Sequence, residues 1–184
     1  MNDRKKKYIT IMFFILSAIL FILWAVRVYY INRNSKIKER IYSAGEEAVV
    51  GSWTVELSET KMLTQQEFRD FFKVEYKSAG APDDKMLCIK LKVYFENGSP
   101  ESGDFEDLVE NGFRTLTWYQ GIDPFLFGDM NVEGIQSVSE TGEGMLWITT
   151  HVPSGVWDKE NTYDYVLSTF PEVVTIRTMV GKGD

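Results

Sequence analysis

Few residues in this chain could do chemistry. His151 is the single histidine and Cys88 the single cysteine among 184 residues, so a Ser-His-Asp or Cys-His arrangement must be built on one or the other. Ser154 and Asp158 stand nearest His151 along the chain, but triads assemble in space and sequence proximity says little. On the alternation of residues 145–152, His151 shares a face with Met145, Trp147 and Thr149 and reads as an ordinary surface or edge histidine. Cys88 shares a face with Lys90 and Lys92, whose charges would favour a thiolate; a small, partly covered thiol is the simpler reading. Ligands for zinc are missing. Carboxylates gather at Asp104, Glu106, Asp107 and Glu110, and again at Asp123 and Asp129, where a hard cation could find oxygens. Neither group has the spacing of a calcium loop, and both read as solvated acidic surface. Gly142-Glu143-Gly144 reads as a hairpin turn and opens no helix, so it is no phosphate loop. The sequence therefore predicts no catalytic residue, no metal site and no cofactor, and a protein that is not an enzyme.

What remains is an excess of rings. Trp118, Tyr119, Trp147, Trp157, Tyr163 and Tyr165 are more than one small core needs, and exposed rings beside acids are a common means of gripping protein and sugar ligands. The stretch from Trp118 to Asn131 combines two such rings with Gly121, Asp123, Pro124 and Asp129 in a short turn. Its candidate binding residues are Trp118, Tyr119, Asp123 and Phe125. In the competing reading, Phe125 and Phe127 plug the end of a core. A protein partner, another membrane component among the options, is the first expectation; a cell-wall carbohydrate is the alternative.

Strands must position these residues. Trp53, Val55 and Leu57 alternate with Thr54, Glu56 and Ser58, the period-two pattern of a half-buried strand. The clearest alternation sets Leu87, Ile89, Leu91, Val93 and Phe95 against Cys88, Lys90, Lys92, Tyr94 and Glu96, a core strand with a wet outer face. Turn residues Ser78–Asp84 precede it and Asn97-Gly98-Ser99-Pro100 close it. Residues 113–119, 145–152, 163–169 and 173–180 read as further strands, and 134–138 as a weak one; 103–112 is open between a short helix and an irregular edge. Two short helices are marked. One starts at the capping box Thr64/Glu67 with Phe68, Phe71 and Phe72 on one face. The other starts at Asp123, with Pro124 in its first position. Six to eight short strands with regular turns predict an all-β, antiparallel sandwich with one or two short helices.

This domain hangs from an apolar run, Tyr8–Val26, that carries no charge. At 1.5 Å per residue its 19 residues cover about 28 Å, the thickness of a bilayer's hydrocarbon. A cleaved signal would have a shorter apolar region ending in small residues, whereas here Arg27-Val28-Tyr29-Tyr30 follow directly; a lipid-bearing cysteine is absent at that point. The expected organisation is a basic cytoplasmic tail over 1–7, a transmembrane signal anchor over 8–28, a stalk over 29–46 and an extracytoplasmic domain over 47–184. Basic residues flank both ends, but Arg4-Lys5-Lys6-Lys7 are consecutive and abut the span, which favours the N-terminus inside. Residues 41–184 carry 11 Lys plus Arg against 25 Asp plus Glu, a net charge of −14. So acidic a domain is expected to be repelled by nucleic acid and by anionic lipid headgroups, which removes both classes of ligand from the functions expected.

The order of features resembles a known group. A Val49-Val50-Gly51-Ser52 start, a long alternating strand ending Phe95-Glu96-Asn97-Gly98-Ser99, a Gly-Glu-Gly turn feeding a strand that ends Val152-Pro153, and a terminal β pair are similar to the telokin-like, immunoglobulin-like extracellular domains of bacterial lipoproteins and membrane-anchored surface proteins. The resemblance covers about residues 48–180. It implies an immunoglobulin-like sandwich and transfers no functional residue; without the lipid-bearing cysteine, anchoring falls to the span.

Overall fold

The computed structural model describes residues 3–34, 38–76, 81–96 and 98–181. Residues 77–80 and 97, within two of the expected turns, and residues 35–37 of the expected stalk lie outside the described residues. The chain forms two compact units, Met1–Ile37 and Lys38–Asp184.

The first unit is one helix, α1 (Asp3–Asn34), of 32 residues. Its stretch Met12–Tyr30 has a mean hydropathy of 2.2 and none of it is buried in the protein. A helix that is apolar all round needs an apolar surrounding, and this one is long and apolar enough to supply a membrane span.

The second unit is mostly β. Its strands are β1 (Glu39–Tyr42), β2 (Glu47–Val50), β3 (Trp53–Thr64), β4 (Lys85–Phe95), β5 (Gly112–Arg114), β6 (Tyr119–Gly121), β7 (Glu143–Val152), β8 (Thr162–Ser168) and β9 (Val173–Met179). They form a five-stranded sheet, β1-β9-β8-β5-β6, and a four-stranded sheet, β2-β3-β4-β7. The two sheets share one hydrophobic core, to which β3 sends Trp53, Val55 and Leu57, β4 sends Leu87, Ile89, Leu91 and Val93, and β8 sends Tyr163, Tyr165 and Leu167. The inward alternation read from β3 and β4 is thus observed, and it holds because the period-two pleat puts every second side chain on the core face.

Several expectations need correction. The stalk ends early: β1 lies within the stretch 29–46 and pairs with β9, Glu39 aligned with Val173. Its apolar pattern is too short to announce a strand by itself. That pairing is parallel, so the domain is not purely antiparallel. Helix is richer than the one or two short pieces expected: α2 (Gln65–Phe72), α3 (Glu106–Val109), α4 (Pro124–Met130), α5 (Val132–Thr141) and α6 (Ser154–Trp157) join a 3-10 turn at Ser102–Phe105. The weak strand expected over 134–138 is the middle of α5. Val132, Ile135 and Val138 recur at helical spacing, and Gly142, at φ +77°, ends the helix in a left-handed cap that glycine adopts at little cost. Gly134 lets α5 lie on β7, since a Cβ there would meet the Met145 carbonyl O at 2.3 Å. The strand expected over 113–119 splits into β5 and β6 around a turn closed by Thr115 N–H on the Trp118 carbonyl.

The outer face of β4 is dry at one end. Met86 and Cys88 join Phe68 of α2 and Leu126 of α4 in a second cluster, all at or below 7% exposure, while Lys92 and Tyr94 further along stay exposed. Alternation within one strand cannot report what later elements lie over it.

Candidate binding surface

The stretch 118–131 folds as the end of a hairpin followed by a helix, and it is held at many points. Asp123 caps α4, its Oδ1 accepting from Phe125 N–H at 3.0 Å and Leu126 N–H at 3.2 Å. Pro124 takes the first helical position, where its missing N–H costs nothing. Leu126 enters the second cluster and Phe127 the main core. Neighbouring residues of one helix thus pin it to both. Asn131 completes the attachment: its Nδ2 donates to the Phe127 and Trp147 carbonyls at 2.9 and 2.8 Å, and its Oδ1 accepts from Trp147 N–H at 2.6 Å. One buried amide therefore satisfies both backbone groups of Trp147 on β7, as a neighbouring strand would.

On this frame the four candidates separate. Trp118 is half-buried against the core, its ring edge-on to Tyr163 at 6.3 Å. Asp123 works as the cap. Tyr119, the first residue of β6, is 60% exposed and Phe125 84% exposed. Of the two plugging phenylalanines, only Phe127 is buried.

Between the stretch and β7 lies a hollow of about 250 Å³, lined by Gln120, Ile122 and Asp123 on one side, Thr149, Thr150 and His151 on the other, and Tyr76. His151 is more enclosed than a surface histidine. Its Nε2 lies 3.1 Å from Asp84 Oδ2, without the alignment of a hydrogen bond. Asp84, itself 6% exposed, accepts from Ala81 N–H at 2.7 Å and Ser154 N–H at 2.8 Å. Ser154 thus contributes its backbone to the carboxylate, and the imidazole is paired with Asp84 rather than Asp158. Among the described residues no hydroxyl is bonded to His151, so the geometry of a triad is not assembled.

Cys88 is fully buried, and burial pushes its thiol up to about 12 against the weaker opposing pull of a Thr149 hydrogen bond and the Lys61 charge. A thiol so placed is a packing group rather than a nucleophile. Among the described residues no three His, Cys, Asp or Glu side chains come together as a metal site. Of the first acidic group, Asp104 is bound to Glu101 N–H at 2.7 Å; Asp123 and Asp129 stand at the two ends of α4.

The remaining rings are largely committed to packing. Tyr163 and Tyr165 are buried, and burial raises both phenols, Tyr163 to about 12 with help from the Glu160 carboxylate. Trp147 is flanked edge-on by Phe71 and Phe72 at 5.6 and 5.2 Å. Trp157 donates to the Asp83 carbonyl at 3.1 Å and lies 4.2 Å under the Lys85 ammonium. Sequence reasoning missed Asn131 and Asp84. An Asp just before a strand is a turn residue that can bind neighbouring N–H groups, a signal that was available; the role of Asn131 depends on β7 and had no local signal. Compared with known protein families, with curated proteins and with solved structures, the chain matches none.

Proposed function

We propose that this protein is a binding module held at a membrane by α1, with an immunoglobulin-like sandwich on the extracytoplasmic side that engages a protein partner through residues 118–131. The observation that carries the reading is Phe125: a large ring 84% exposed on a helix whose every other attachment is fixed. Exposed rings on rigid frames make good interface anchors because little side-chain entropy is lost on binding. Tyr119 adds a second ring from β6. The consecutive basic residues before α1 support an inside N-terminus, and the two sheets around one core agree with the sandwich that the telokin-like resemblance implies.

A carbohydrate platform has less behind it, because the domain's tryptophans are turned into packing contacts rather than laid open as stacking surfaces. Protease added to intact protoplasts should remove the domain beyond Lys38 and leave an N-terminal tag protected. Pull-down from detergent-solubilised membranes should then recover a protein partner. Retention on purified wall polymer, with nothing recovered from membranes, contradicts the protein-partner reading.

A further inference from the structure

At one end of the five-stranded sheet the turn between β8 and β9 presents Phe170 with 85% of its surface exposed. The parallel pairing of β1 with β9 identifies that end. Val173 N–H donates to the Lys38 carbonyl at 2.8 Å and Glu39 aligns with Val173, so the turn stands beside the point where the chain comes into the domain. In sequence, only residues 35–37 separate that point from the apolar helix. The chain therefore enters the domain at the end that carries Phe170.

Charge at the turn suits the position. Its one carboxylate, Glu172, is bridged by Arg40 at 2.7 Å and Lys38 at 3.8 Å, whose side chains remain 60% and 77% exposed. Glu39, the neighbouring carboxylate on β1, is answered by Arg114, so two cations on Glu172 leave a locally positive tip on a domain that is strongly acidic overall. An exposed ring beside Lys and Arg is the combination that settles at the lipid interface, with the ring among the upper acyl carbons and the cations at the phosphates. The turn itself is tied by Ser168 Oγ, which donates to the Phe170 carbonyl at 3.0 Å.

We propose that the β8–β9 turn is a second membrane contact, with Phe170 seated at headgroup level of an anionic leaflet. The proposal rests on the membrane-anchored reading above and goes beyond it. One ring is too little to hold a protein on lipid, so the contact orients the domain that α1 retains.

The buried Cys88 makes the test clean, because a thiol-directed spin label goes only to an introduced cysteine. Phe170→Cys and Leu116→Cys are labelled in the full chain and reconstituted in vesicles of phosphatidylethanolamine and phosphatidylglycerol. Leu116, 98% exposed, lies on the β5–β6 turn. It sits at the opposite end of the same sheet, since Arg114 aligns with Asp164 near the start of β8. The expected result is that oxygen dissolved in the bilayer relaxes the label at 170 several-fold more than the label at 116, with the reverse order for a water-soluble nickel chelate. Equal chelate access at both positions, in a chain that floats with the vesicles, overturns this proposal and leaves the anchored reading standing. A chain that does not float with the vesicles overturns both.

Discussion

Two short helices lie over the same end of the four-stranded sheet and differ in how far their outer phenylalanines are covered. In α2, capped by Thr64, Phe68 is fully buried, Phe72 lies tilted against it at 4.9 Å, and Phe71, though 49% exposed, rests edge-on against Trp147. In α4, capped by Asp123, Leu126 and Phe127 are buried while Phe125 faces water. Both helices are started by a side chain accepting backbone N–H groups, and both send one buried and one partly buried residue into the second cluster. The difference teaches that an aromatic residue on a capped, amphipathic turn is packing by default, and that an exposed one on an equally fixed turn requires a reason outside the domain.

The sharpest way to break the comparison is truncation of the matched rings. Phe68→Ala should cost about 3 to 5 kcal/mol in denaturant unfolding, because a fully buried ring leaves a cavity, whereas Phe125→Ala should stay within about 0.5 kcal/mol as a surface change. Similar losses would mean that Phe125 is packed and that the two helices are alike. Next in size is Asn131→Ala, which leaves Trp147 N–H and C=O without a partner at the edge of β7; a loss of about 1 to 3 kcal/mol is expected. A change within about 0.5 kcal/mol would show α4 to be held by Leu126 and Phe127 alone.

The caps come third. Thr64→Ala and Asp123→Ala should each cost about 1 kcal/mol, and in α2 the cap should also respond to acid. The Thr64 backbone and hydroxyl hydrogen bonds hold the Glu67 carboxyl below its ordinary value. Its contribution is therefore present above the unfolded carboxylate range, near 4.3, and is lost as pH falls below it. Protection of the α2 amides, taken relative to their intrinsic exchange rate at each pH, that does not change between pH 6 and pH 3 would contradict this.

How far the sequence was legible follows from the same contrast. Both caps, the face of α2 and the inward alternation of β3 and β4 are local, each fixed by spacing of a few residues, and each is present. What could not be read locally lies between elements: the covering of Met86 and Cys88 by α2 and α4, the parallel pairing of β1, and the exchange of Trp118 for Phe125 as the exposed ring. The weak strand expected over 134–138 gives way to α5 because Gly134 looks like a strand or turn residue until its close approach to Met145 is known. The same covering goes further than the partly covered thiol expected at Cys88: Lys90 and Lys92 would favour a thiolate, and full burial opposes it.

The smallest effect tests that covering. Native protein at pH 7 should leave Cys88 unreacted with a thiol reagent, and unfolding should release it. Because the folded thiol holds its proton up to about 12 and the unfolded one loses it near 8.5, Cys88 favours the folded state below that range and this advantage declines as pH rises through it. Stability between pH 9 and 10 should therefore fall less steeply in Cys88→Ala than in the parent; identical slopes would place the thiol in contact with water.

The central claim is that Phe125 and Tyr119 are exposed for a partner, and one measurement addresses it directly. The full chain and its Tyr119→Ala, Phe125→Ala double variant are compared for melting temperature and for capture of the membrane protein recovered by the parent. The account predicts melting within a degree or two and loss of capture. Melting lowered by many degrees, with capture intact in whatever stays folded, would contradict it and return both rings to the core.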